Sequence, residues 1–92
     1  MDAVEQIEED LENQDVAYYL NQAVDKKQFR IAIRLHYLLI IKELSEKKLI
    51  KWKRDKTNRD YIIETSAYAF AEKFRSSTNI FDKVWYLSLI HI

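Results

Sequence analysis

Phe29-Arg30-Ile31-Ala32-Ile33-Arg34-Leu35-His36-Tyr37-Leu38-Leu39-Ile40-Ile41-Lys42-Glu43-Leu44 is the stretch whose period decides the fold. Ile31, Leu35 and Leu38, with Ala32 and Leu39, recur at three- and four-residue spacing, which is the repeat of a helix. Ile33, Tyr37, Ile40, Ile41 and Leu44 widen the apolar stripe over most of the circumference. The β-branched residues Ile31, Ile33, Ile40 and Ile41 favour a strand locally, but roughly twenty residues without a turn signal is too long for one. The spacing therefore predicts a helix from Lys27 or Gln28 to Lys47. A helix apolar over so wide an arc is surrounded by others. The expected fold is all-α: a compact bundle of about four helices around this central one.

Toward the N-terminus, Val16, Tyr19, Leu20, Ala23 and Val24 predict an amphipathic helix over 15–26. Asp15 is its expected N-cap, and Lys26 and Lys27 suit its negative end. Residues 1–14 hold six acids and no base, and are expected to be an acidic, flexible leader outside the domain. Toward the C-terminus, Leu49-Ile50-Lys51-Trp52 reads as an extended step or a last helical turn, followed by a polar connection through Lys53, Arg54, Asp55 and Lys56. Thr57-Asn58-Arg59-Asp60 has the spacing of a capping box, opening a helix that holds Tyr61, Ile62 and Ile63. Ala67, Phe70, Ala71, Phe74, Ser77, Phe81, Val84 and Trp85 keep one face of a final helix. Ser76-Ser77-Thr78-Asn79 is the expected place for a break, because these side chains compete for backbone hydrogen bonds. The helical domain is thus expected over 15–86. Leu87-Ser88-Leu89-Ile90-His91-Ile92 resembles the in-frame translation of a transposon end used in sequencing libraries, and 87–92 is read as foreign to the natural protein.

Composition excludes much. The 92 residues contain no Gly, Pro or Cys, where ordinary usage gives roughly six Gly and roughly five Pro. Without Gly there is no glycine-rich phosphate loop or dinucleotide fingerprint. Without Cys there is no disulfide framework, thiolate zinc site or cysteine nucleophile. Fifteen Lys and Arg balance fifteen Asp and Glu, so nothing in the net charge favours a polyanion. The longest strongly apolar run, 35–41, covers about 10 Å as a helix against a hydrocarbon core of about 30 Å. The segment itself is expected to be soluble.

Three motifs in order carry a resemblance. Phe29-Arg30-Ile31-Ala32-Ile33-Arg34-Leu35-His36-Tyr37-Leu38, then Leu49-Ile50-Lys51-Trp52, then Lys56-Thr57-Asn58-Arg59-Asp60-Tyr61, closing on Phe81 and Val84-Trp85-Tyr86, are similar to the bacterial domain of unknown function family 4129 (DUF 4129). That family's pattern runs as an aromatic-Arg-Leu-Ala-Ile-Arg helix, a Leu-Ile-x-Trp step, a Lys-Thr-Asn-x-x-Tyr turn and a final Val-Trp-Tyr-Gly. The likeness covers residues 15–86. Two positions depart from it: Lys48 stands where the family usually has Gly, and Leu87 where Gly usually follows Trp-Tyr. The resemblance implies context more than chemistry. Such domains are typically the cytoplasmic C-terminal part of bacterial inner-membrane proteins, after a transmembrane helix and sometimes after a transglutaminase-like domain, so Met1 would be internal to a longer frame. The family has no established activity, and no catalytic residues carry over.

The residues themselves point the same way. His36 stands alone in the domain, without the second His, Cys or carboxylate pair that a metal site needs. Ser45, Ser66, Ser76 and Ser77 have no positioned base. No catalytic, cofactor-binding or metal-ligating set is expected. Between 47 and 60, seven bases (Lys47, Lys48, Lys51, Lys53, Arg54, Lys56, Arg59) face two acids, Asp55 and Asp60, for a local net of +5, with Trp52 among them. With Thr57 and Asn58, these are the candidate partner-binding residues. The expected role is a non-catalytic interaction or scaffold domain with a protein partner. The alternative is electrostatic binding of anionic lipid or, less favoured in a neutral chain, nucleic acid. Lys56-Thr57-Asn58-Arg59-Asp60-Tyr61 has a structural reading too: a cap and hydrogen-bond cluster that fixes the angle between helices.

Overall fold

The long apolar stretch is a single helix and everything else is arranged around it. The computed structural model describes residues 3–90. In chain order these form α1 (Ala3–Glu9), a 3₁₀ turn (Leu11–Asn13), α2 (Val16–Asp25), α3 (Phe29–Glu46), α4 (Asn58–Glu64) and α5 (Ala71–Ile90), with no strand among them. α1, the 3₁₀ turn, α2 and α5 all pack on α3, and α4 packs on α5. Ala32, Leu35, Tyr37, Leu38 and Ile41 of α3 are buried, with Ile31, Leu39, Ile40 and Leu44 packed against them. The radius of gyration is 13.1 Å, close to the roughly 12 Å expected of a folded chain this long. The all-α bundle around a central helix is as the periodicity predicts.

Both ends of α2 follow local chemistry. Asp15 caps it, its carboxylate accepting the Tyr18 N–H at 3.1 Å. At its other end, and again after α3, the chain closes a Schellman turn: Gln28 N–H bonds Ala23 O and Lys27 N–H bonds Val24 O, while Leu49 N–H bonds Leu44 O and Lys48 N–H bonds Ser45 O. Both turns need a left-handed residue, and in a chain without glycine that residue is Lys: φ is 58° at Lys27 and 60° at Lys48. A side chain with a Cβ is strained there, which is why glycine usually fills such positions. Lys27→Gly and Lys48→Gly are each expected to raise stability by about 0.5–1 kcal/mol, read as a higher midpoint in urea unfolding at unchanged slope. A fall in midpoint contradicts this account of the turns.

The largest correction lies at the N-terminus. Residues 4–11 are not a leader outside the domain. Val4 is 6% exposed, and Ile7 and Leu11 are wholly buried, sealed against α3 by α1 and the 3₁₀ turn. Their spacing of three and four is a helical stripe, and apolar burial outweighs the acidity of the opposite face. Arg34 of α3 meets Glu8 at 2.8 Å, and Lys42 donates to the Gln14 carbonyl, so the acids and carbonyls of this segment are drawn onto basic positions of the central helix. Met1 and Asp2 lie outside the described residues.

The second correction concerns the final helix. It begins at Ala71, and no break falls at Ser76-Ser77-Thr78-Asn79, which are helical throughout. The interruption is at 65–70, a series of turns. α4 stops at its C-cap, Thr65, whose buried hydroxyl bonds back toward the carbonyls of Tyr61 and Ile62. Two apolar side chains also fall differently from their expected places: Val24 and Phe29 are 48% and 60% exposed. α5 runs on through 87–90, and His91 and Ile92 lie outside the described residues.

Candidate functional site

The connection between α3 and α4 holds the candidate residues, and its geometry sorts them into two groups. The first group bonds inward. Thr57 and Asp60 form the capping box: Thr57 N–H donates to Asp60 Oδ2 at 2.8 Å, and Asp60 N–H donates to Thr57 Oγ1 at 3.3 Å. The backbone and side-chain hydrogen bonds from Thr57 hold the Asp60 carboxyl below its ordinary value. Asn58 Nδ2 donates to Asp82 Oδ1 across to α5. Lys56 ion-pairs with Glu64, donates to the Lys51 carbonyl, and sits 5.3 Å above the Tyr61 ring. Glu64 Oε1 also accepts the Lys51 N–H at 2.8 Å. The Tyr61 hydroxyl accepts from Lys53 N–H and donates to Lys53 O, both at 3.2 Å.

These contacts join the connection, α4 and α5 into one framework. Trp52 is half-buried against the core beneath it. With Arg34 and Glu8, the residues Trp52, Lys53, Lys56 and Asn58 line a small polar recess of about 80 Å³, room for a few waters or a single carboxylate or phosphate. Burial pushes the Tyr61 phenol up and away from ionisation. Burial also pushes the Glu64 carboxyl up, but the hydrogen bonds from Lys56 and Lys51 outweigh it and leave Glu64 below its ordinary value.

The depressed carboxyls set an acid limit. Asp60 and Glu64 bind protons more weakly folded than unfolded, so what they contribute is complete above the ordinary carboxylate value near about pH 4 and fades as pH falls through their lower folded values. Thermal melts between pH 7 and pH 3 are expected to show the midpoint falling at the acid end, with a shallower fall for Glu64→Gln. Equal slopes for the two proteins contradict this role for Glu64.

The second group faces outward. Lys47, Lys48, Lys51, Lys53 and Arg59 are exposed. Arg54 reaches Glu9 at 3.3 Å, but both side chains are largely open to water (71% and 42%), where such a pair is worth little. Sequence reasoning missed Glu64 and Asp82, the acids that take up Lys56 and Asn58, and Glu8, which takes up Arg34. Only Glu64 carried a readable signal, standing one helical turn after Asp60. His36 is exposed and edge-on to Phe81 at 5.6 Å. Among the described residues, no group of three or more His, Cys, Asp or Glu is placed to hold a metal ion, and no helix is long and apolar enough to cross a membrane. No protein-family model, curated protein or solved structure matches the chain.

Proposed function

We propose that this chain is a non-catalytic interaction domain whose partner is a protein, carried on the cytoplasmic face of a bacterial membrane protein. One observation carries the reading: the chemically richest motif, Lys56-Thr57-Asn58-Arg59-Asp60-Tyr61, spends its polar groups on Glu64, Asp82 and the Lys51 and Lys53 backbone. Such a motif is a framework. The outward residues around it, Lys47, Lys48, Lys51, Lys53 and Arg59 beside half-buried Trp52, are the surface offered to the partner. The membrane context rests on the likeness to DUF 4129. Reading the genomic frame upstream of Met1 tests it: a transmembrane helix is expected there, and a frame without one contradicts it.

A second reading has its own observation. The same five exposed cations fall on the α3–α4 connection and the first turn of α4, which suits a polyanionic surface such as anionic lipid. Salt separates the two, because charge-driven binding weakens steeply between low and moderate ionic strength. Flotation with phosphatidylserine vesicles at two salt concentrations compares the chain with a variant carrying Lys47→Glu, Lys48→Glu, Lys51→Glu and Lys53→Glu. The protein-partner reading expects background binding from both. Association that is lost in salt and in the variant overturns it in favour of the lipid surface.

A further inference from the structure

Where α1, α2 and the first half of α3 meet, they leave a cleft of about 260 Å³. Val4, Ala23, Ile31 and Leu35 form its apolar lining, and Val4, Ala23 and Leu35 belong to the buried core. Ala23, with its single methyl, leaves space that a larger side chain would fill. The polar lining is Tyr19, Gln22, Lys26 and Gln28. Local chemistry puts the last two there: Lys26 is the C-cap of α2, Gln28 the N-cap of α3, and the left-handed Lys27 between them turns the chain. Gln22 spends an amide N–H on the Tyr18 hydroxyl at 2.7 Å. The Lys26 ammonium, the Gln28 amide and the Tyr19 hydroxyl have no hydrogen-bond partner among the described residues.

An apolar hollow with a few convergent polar groups is the usual form of a small-molecule site, and this lining narrows the ligand. A dry apolar cavity of roughly 150 Å³ takes up benzene, so the cleft accommodates one ring with a short polar tail. Among the described residues, Lys26 is the only charged member of the lining, which matches a single negative charge. A phosphate would bring nearly two charges at neutral pH and leave one unmet. The free donors beside Lys26, a phenol O–H and an amide N–H, suit the oxygens of a carboxylate.

We propose that this cleft binds a small carboxylate with an apolar body of one ring, the ring against Val4, Ala23, Ile31 and Leu35 and the carboxylate on Lys26. The site stands apart from the α3–α4 connection and does not rest on the interaction reading.

The test uses the full chain at neutral pH with phenylacetate and phenylacetamide, which match in shape and differ in charge. Binding is followed by the amide chemical shifts of Ala23, Ile31 and Leu35. The proposal expects saturable shifts at these residues, with phenylacetate bound more tightly. An apolar cleft indifferent to charge prefers phenylacetamide, the less strongly hydrated of the two. In Lys26→Gln, a change at an exposed position, the carboxylate-to-amide affinity ratio is expected to fall by about fivefold, the loss of one solvent-facing ion pair. Ala23→Leu puts extra carbons into the cleft and leaves Lys26 in place, and saturable binding of both ligands is expected to be lost. Should Ala23→Leu not fold, the Lys26→Gln comparison decides alone. No saturable shift in the natural chain, shifts confined to the 47–53 connection, phenylacetamide bound as tightly as phenylacetate, an unchanged ratio in Lys26→Gln, or unchanged binding in a folded Ala23→Leu would each overturn the proposal.

Discussion

Ile7→Ala is expected to lower the unfolding free energy by about 2–5 kcal/mol, the range for truncating a fully buried aliphatic side chain whose surroundings cannot close over the gap. Ile7 is 0% exposed, between Val4 and Leu11 on the stripe that α1 and the 3₁₀ turn press onto α3. Gln6→Ala, one residue away on the exposed face, is expected to stay within about 0.5 kcal/mol. Urea unfolding of the two variants measures the contrast directly. Were the first fourteen residues a leader, the two substitutions would be equally harmless. The comparison therefore decides whether the domain begins near Val4 or near Asp15. Removing residues 1–13 altogether would strip from α3 the cover that α1 and the 3₁₀ turn provide, and the shortened chain is expected to lose its cooperative thermal transition.

Lys56→Met is expected to cost about 1–3 kcal/mol, for a different reason. The Lys56 and Glu64 side chains are 20% and 28% exposed, so removing the ammonium leaves a part-buried carboxylate with only the Lys51 N–H as partner and leaves the Lys51 carbonyl without its donor. The methylene stem stays in place in Met, which isolates the polar loss from the packing loss. Adding Glu64→Leu is expected to recover part of the cost, because replacing both members of such a pair is milder than orphaning one. Denaturant midpoints of the two single variants and the double variant give the coupling. A double variant as unstable as the sum of the singles contradicts the framework role assigned to this pair.

How much of the fold is legible in the residues depends on how far apart in the chain the deciding contacts lie. Asp15 as a cap and Thr57 with Asp60 as a box are contacts over three residues, and both are present as the spacing predicts. The central helix is legible because its apolar spacing alone demands neighbours. α1 is readable in principle: Val4, Ile7 and Leu11 carry the helical spacing, but the surrounding acids suggest a solvated tail unless Arg34 and Lys42 are placed opposite them. The stop at Thr65 is hidden because a Thr that bonds back to Tyr61 and Ile62 looks, in sequence, like any other helical Thr. Ser76-Ser77-Thr78-Asn79 invites the break instead, although helix packing overrides its local preferences. Asn58 and Asp82 are twenty-four residues apart, and the buried Tyr37 and Thr78 hydroxyls meet only when α5 folds back along α3. Neither pairing leaves a periodic trace.

The account as a whole requires that α1, α2 and α5 of one molecule enclose the apolar girdle of α3. Native-state hydrogen exchange on a sample shown to be monomeric by sedimentation measures this most directly. Amides from Leu35 to Ile41 are expected to exchange only through global unfolding, with protection that does not change on tenfold dilution. Rapid exchange across those amides, or protection that disappears with dilution, would mean that a second molecule supplies the cover and would contradict the fold described above.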